Sequence, residues 1–261
     1  MEQAAEITAR YERKKDENRV NNLRHAERGV EFADIDAAYI AQNVRIDPGV
    51  RIGPGVTIEG ETEIGADCVI GQGCFLENAR IGAGCVIGQN SEIIDSSVGD
   101  GSDVLQSVLK ESVAGKAVSI GPFAYLRPGS EVGDRAKIGD FVEIKNARVG
   151  EDTKISHLTY VGDADIGKDV NIGCGVVFVN YDGREKHRSV VGDDAFVGCN
   201  VNLISPVRVG DGAYIAAGTT VTCDIPAGSL GVGRPKGRVI EGWVKRRGLL
   251  REKSKTERKG R

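Results

Sequence analysis

The chain has few aromatic residues, with one Trp, six Tyr and six Phe making up 5% of its 261 residues. A broad aromatic core is therefore excluded, and a narrow interior filled by Val and Ile is expected. It has no CxxC pair: the six cysteines, Cys68, Cys74, Cys85, Cys174, Cys199 and Cys223, are scattered, and none has zinc-ligand spacing with a His. They read as small, reduced, buried side chains at positions where Ser, Ala or Thr would also serve. There are three His, of which His25 falls in the leading segment and His187 in a polar break. A three-His metal hydratase site is a poor fit to that distribution, and no metal is expected. No stretch is long and apolar enough for a membrane span or a signal-peptide core, so a cytoplasmic protein is expected.

Glycine, by contrast, is abundant at 36 residues, and the hydrophobic share of 40% is ordinary. The formal net charge of −3 conceals an asymmetry, because residues 245–261 hold nine Lys or Arg against two Glu. That basic tail is read as a solvated segment, with no nucleic-acid partner assigned to it. Residues 1–35 are highly charged and free of Pro, and Val20, Leu23, Ala26 and Val30 fall at helical spacing, so a short N-terminal helix is expected.

Between these ends the sequence repeats. Aliphatic residues recur at Ile46, Ile52, Ile58, Ile64, Ile70 and Leu76, then at Ile81, Ile87 and Ile93 after a five-residue step. The register blurs from Val98 to Val118, where Val104, Val108 and Val113 are taken as core. It is clean again from Ile120 and resumes after a break at Val191, Val197, Leu203, Val209, Ile215 and Val221. A six-residue period fits neither an α-helix nor a simple strand. It fits a short strand that buries alternate side chains, then a Gly, Asp or Asn turn that redirects the chain. Three hexads close a triangular coil, and stacked coils bury a shared core, giving an all-β parallel β-helix of about ten coils. The expected organisation is a helical segment at 1–35, the β-helix at 36–230, and a C-terminal segment with the basic tail at 231–261. The break NYDGREKHRS is too polar for the core and reads as a loop pushed out from one corner.

Polar residues that interrupt such a scaffold mark the candidate chemistry. Arg127, Lys145, His157, Tyr160, Asn171 and Asn180 stand out within residues 120–182. His157 is the natural general base, since its ordinary pKa lies near neutrality. Arg127 offers a planar fork and Lys145 a point charge for a phosphate, and Lys186 in the break is a third cation.

The hexad pattern resembles that of the hexapeptide-repeat acyltransferases, whose members are left-handed parallel β-helices that associate as trimers. The motifs FAYLRPGSEVGD, IGDFVEIKNARVG, HLTYVGDADIG, VNIGCGVVFVNYDG and VVGDDAFVGCNVNLISPV resemble, in order, the acetyltransferase half of the bacterial bifunctional enzymes that acetylate glucosamine-1-phosphate and then uridylate it. The resemblance covers about residues 35 to 245. It implies an acetyl-CoA-dependent N-acetyltransferase acting on glucosamine-1-phosphate, feeding UDP-N-acetylglucosamine and cell-wall precursor synthesis. Matched residue by residue, it implies His157 as catalytic base with Glu143 orienting its ring. Arg127, Lys145, Tyr160, Asn171 and Lys186 would bind the sugar phosphate. Cys174, Asn180, Tyr181, Cys199, Ala217 and Arg234 would bind acetyl-CoA. Cys174 stands where the family usually has Ala and Cys199 where it usually has Ser; a thiol is a weaker donor than a hydroxyl. Only about 40 residues precede the repeats and hold no Gly-rich nucleotide loop, so uridylyl transfer is not expected of this chain, and a separate uridyltransferase is the expected partner. The other readings are an acetyltransferase for another amino sugar or sugar nucleotide, acyl transfer through a Cys nucleophile, and a non-catalytic trimeric scaffold.

Overall fold

A computed structural model describes residues 2–249. Its body is a three-sided parallel β-helix. The first face carries twelve strands, from Glu31–Phe32 to Leu230–Gly231. The second carries eleven, from Tyr39–Ile40 to Thr220–Val221, and the third carries ten, from Arg45–Ile46 to Arg208–Val209. Each strand pairs with those one coil before and after it, as Ile138 does with Ile120 and Ile155. Parallel neighbours lie about 4.8 Å apart, so each coil advances the chain by that distance.

Ten coils have strands on all three faces, as expected, and partial turns at the ends bring the first face to twelve strands. Coiling starts one turn before the clean hexads, at Glu31–Phe32, and continues to Leu230–Gly231. Five-residue steps also shorten several coils below three full hexads, as the register pairs Ser97–Val113 and Glu131–Arg148 record. Within the blurred stretch the expected core is corrected at two of three positions. Val104 is buried, but Val108 is only half-buried and Val113 is exposed; Leu109 and Ala114 point inward instead. Apolar neighbours sit side by side there, and a one-residue slip turns a strand over.

The interior is a column of β-branched and Leu side chains, with Ile52, Ile58, Ile64, Leu76, Ile87, Leu126, Ile138 and Phe178 fully buried. Burial of each such side chain is worth about 1.5–3 kcal/mol. Corners are turned by residues at positive φ, many of them Asp or Asn such as Asn78, Asp95, Asn146 and Asp163, which tolerate the left-handed region.

Helix α1, Glu2–Glu27, closes the N-terminal end. An uncovered coil would leave backbone carbonyls open to pairing with another chain. Here asparagine amides meet them: Asn22 Nδ2 donates to Ile35 O and Ala38 O, Asn18 Nδ2 to Ala38 O and Asn21 Nδ2 to Ile40 O, all at 2.8–2.9 Å. At the other end a single-turn helix, α2 (Trp243–Arg246), lies on the surface. The basic tail beyond residue 249 lies outside the described residues. Among the described residues no helix is long and apolar enough to cross a membrane, and no three His, Cys, Asp or Glu side chains are grouped to hold a metal ion.

Candidate active site

The stride of the coil decides which side chains meet. Residues one full coil apart stack on the same face or corner, whereas residues a few positions short of a coil apart lie on neighbouring faces. His157 ends the strand Lys154–His157 at the corner between the first and second faces. The residue one coil below it is Asp140, in direct register. His157 Nδ1 lies 2.5 Å from Asp140 Oδ1, and that bond holds the Asp140 carboxyl below its ordinary pKa. An ionised carboxylate can only accept, so Nδ1 carries a hydrogen, and in the neutral ring the lone pair is on Nε2. The exposed ring thus has the tautomer and tether of a general base.

Within this chain the carboxylate on the ring is thus Asp140, whereas the resemblance implies Glu143. Glu143 falls short of a full coil before His157 and lies on the second face, where its register partners are Tyr125 and Tyr160. Its Oε1 receives Arg127 Nη1 at 2.7 Å. Arg127 also lies over the Tyr125 ring at 5.9 Å.

The second face gathers most of the candidate phosphate ligands. Lys145 is in register with Gly162, which carries no side chain to cover it. A Cβ at Gly162 would come within 2.5 Å of Tyr160 Oη and 2.6 Å of Asn180 Nδ2. The Tyr160 phenol therefore folds across Gly162 towards Asn180, a conformation that glycine alone permits. Lys186 arrives from the loop after Asn180, which is closed by the Tyr181–Lys186 bridge and by Asp182 accepting from Arg184 and Glu185 N–H. Arg188 fastens the end of that loop through two 2.6 Å bonds to Asp165 and bonds to Asn146 O and Ala164 O. Lys145 is pushed below its ordinary pKa, first by Lys186 beside it and then by desolvation. Two ammonium groups held this close form a site for an anion.

The corner that carries His157 continues upward. Cys174, Cys199 and Ala217 occupy the equivalent position in successive coils: Cys199 N lies over Gly173 and Ala217 N over Gly198. Arg234 Nη1 bonds to Ala217 O. Four coil steps separate His157 from Arg234, about 20 Å along the corner. The N–H groups of Gly173 and Gly175 go to Val197 O and Leu158 O; that of Cys174 has no backbone acceptor among the described residues. Of the six cysteines, only Cys68, Cys74 and Cys85 are buried; Cys174 is half-buried, and Cys199 and Cys223 are exposed, because a corner residue points out of the prism.

Three expected ligands stand apart from the groups that the resemblance assigns them to. Asn171 is on the first face, in register with Lys154 and Phe196, around the corner from Lys145. Asn180 is buried and Tyr181 exposed at the root of the loop, away from the column that ends at Arg234. An apolar ridge flanks the His157 corner: Phe123, Phe141 and Leu158 all have positive φ and are more than half exposed, with the two Phe rings stacked at 5.4 Å.

Sequence reasoning missed Asp140, Gly162 and Asp163. The stride of the coil could have found the two carboxylates. Asp140 lies one coil before His157, and Asp163 lies one coil after Asn146 and one coil before Asn180.

Comparison with known proteins agrees with this architecture. Residues 40–123 match the model of the GMPPB C-terminal domain, and residues 188–223 match the bacterial transferase hexapeptide family of six repeats. The bifunctional protein GlmU of Acetivibrio thermocellus is 47% identical over 229 residues, covering 88% of this chain and 46% of that protein. GlmU of Alkaliphilus oremlandii is 56% identical over 153 residues, 59% of this chain and 34% of the relative. The chain is a hexapeptide-repeat relative of the GlmU proteins. It spans about half the length, or less, of the curated relatives it matches. The solved UDP-N-acetylglucosamine acyltransferase of Francisella novicida aligns over 81% of this chain and 72% of its own at 23% identity, with a TM-score of 0.34.

Proposed function

We propose that this GlmU relative transfers the acetyl group of acetyl-CoA to the amine of glucosamine-1-phosphate. The observation that carries the reading is the His157–Asp140 pair at the foot of the corner column, at the edge of the face that carries Arg127 and Lys145. The sugar phosphate would lie on the second face, its phosphate on Lys145, Lys186, the Tyr160 hydroxyl and the Arg127 fork. Arg127 would share that fork between the phosphate and Glu143. The pantetheine arm would run along the corner past Cys174, Cys199 and Ala217, with Arg234 at its phosphate end.

In the reaction the sugar amine attacks the thioester carbonyl carbon, and His157 Nε2 takes the amine proton. Asp140 stabilises the imidazolium through Nδ1–H. The oxyanion forms near the Cys174 N–H, a fixed donor that needs no reorganisation. Collapse of the tetrahedral intermediate breaks the C–S bond, and the imidazolium returns its proton to the leaving thiolate. The products are CoA and N-acetylglucosamine-1-phosphate, a precursor for UDP-N-acetylglucosamine and the cell wall once a uridyltransferase acts.

The reading requires a second copy of the chain at the site, and the family resemblance makes the assembly a homotrimer. Asn171 and Lys145 lie on faces that diverge from one corner, so one small substrate reaches both only if a second copy supplies one of them. The exposed Phe123, Phe141 and Leu158 ridge beside His157 gives that second copy an apolar seat.

The test is acetyl-CoA-dependent thiol release with glucosamine-1-phosphate, glucosamine or a UDP-linked amino sugar as acceptor. Turnover with the sugar phosphate well above that with glucosamine is the expected result. Preference for the nucleotide sugar would move the acceptor class, and no turnover with any of them would overturn the reading.

A further inference from the structure

One buried carboxylate of the site has no part in the reaction just described. Asp163 is 7% exposed. Its Oδ1 accepts Asn146 Nδ2 and its Oδ2 accepts Asn180 Nδ2, both at 2.5 Å. Its backbone spans the loop as well: its N–H donates to Lys145 O, and its carbonyl accepts Ser189 N–H at the far end. The same corner in the N-terminal coils also stacks polar side chains, with Asn78 Nδ2 donating to Asp95 Oδ1 at 2.9 Å. There the rungs are open to solvent and no lysine pair faces them. A corner rung alone does not call for a buried anion, and neutral amides stack as well.

Two consequences follow from the geometry. Because a carboxylate only accepts, the Asn180 amide must turn its NH2 towards Asp163 and its carbonyl oxygen the other way. Asp163 also lies close to both Lys145 and Lys186, which press against one another. We propose that Asp163 is a positioning residue of the acceptor site: it fixes the Asn180 carbonyl as an outward acceptor, and it is the standing counter-anion that holds Lys145 beside Lys186 until a phosphate arrives. Its consequence for catalysis rests on the phosphate-acceptor reading; its geometry does not.

The charges around the pair support this assignment. Lys145 faces Lys186 from the loop, Asp163 from the corner and Arg127 from the preceding coil. Arg127 is tied to Glu143, and Arg188, tied to Asp165, lies on the far side of Asp163. Burial works against ionisation of Asp163, but the bonds from Asn146 and Asn180 and the charges of Lys145 and Lys186 outweigh it, so its carboxyl lies below its ordinary pKa. Lys145 is already depressed, and among these groups Asp163 is the one that holds it up. Without Asp163, Lys145 would lose its proton at a lower pH as pH rises.

The test compares wild type with Asp163→Asn, which keeps the size of the middle rung, makes the ladder a stack of three amides and removes the charge. Lysine Cε resonances followed by NMR against pH should show Lys145 titrating lower by about one pH unit or more. The alkaline rise in KM for glucosamine-1-phosphate should move down with it, while kcat at lower pH changes little. A fall in melting temperature with an unmoved Lys145 titration and an unmoved KM profile would make Asp163 a structural rung and overturn the proposal. If wild type does not turn over the sugar phosphate, the functional reading fails, and the NMR titration still decides the role of Asp163. Should Asp163→Asn not fold, Lys186→Gln on the exposed loop gives the complementary answer: the Lys145 titration should move up, and no movement would overturn the proposal.

Discussion

The N-terminal and C-terminal coils are built alike and furnished differently. Ile58 and Ile144 both lie fully buried on the second face, and the same parallel ladder runs through both halves. At the corner after the first face, the N-terminal coils carry Gln72 and Gln89, stacked over Gly53 and Gly71. The C-terminal coils carry Asp140, His157, Cys174 and Cys199 at the equivalent place. The core dictates inward residues coil after coil, whereas outward corner positions cost the fold almost nothing to vary. Chemistry can therefore be written into a β-helix without disturbing its packing. The N-terminal coils serve as a pedestal, sealed by the asparagines of α1.

The contrast can be broken by substitution, beginning with the largest effect. Asp140→Asn should lower kcat about 10–100-fold, because the amide no longer fixes the tautomer of His157. Gln72→Ala, at the equivalent corner of the pedestal, should leave kcat unchanged, and steady-state kinetics on both variants checks the pair. Core truncation sharpens the comparison. Ile58→Ala and Ile144→Ala should each cost about 2–5 kcal/mol in denaturant unfolding. Only Ile144→Ala should also raise KM for the sugar phosphate, since Ile144 lies between Glu143 and Lys145. The smallest effect is expected at the cap. Asn22→Ala leaves the Ile35 carbonyl without its amide donor and Ala38 O with Asn18 alone, at a cost of about 1–3 kcal/mol. It should lower the melting temperature with kinetic constants unaltered.

The fold was legible because a single physical constraint, a side chain every six residues in a narrow core, is repeated many times over. Legibility failed where the constraint weakened. At Val108-Leu109 and Val113-Ala114 both neighbours are apolar enough to face inward, and only the five-residue steps decide between them. The site was legible as a set of residue types and not as a set of contacts. Glu143 was named as the partner of His157 by family resemblance alone, and proximity in this fold is measured in coils. One coil leads from His157 back to Asp140 and from Glu143 on to Tyr160. The same stride exposes Asp163 between Asn146 and Asn180, whereas the turn of Tyr160 across Gly162 needs side-chain coordinates to be seen.

The most direct test of the account is CoA thiol release by wild type and His157→Ala, side by side at saturating acetyl-CoA and glucosamine-1-phosphate, with equal assembly mass and melting temperature. The account predicts a fall in kcat of about 10²–10⁴-fold in the variant. A His157→Ala protein that turns over at the wild-type rate would contradict it.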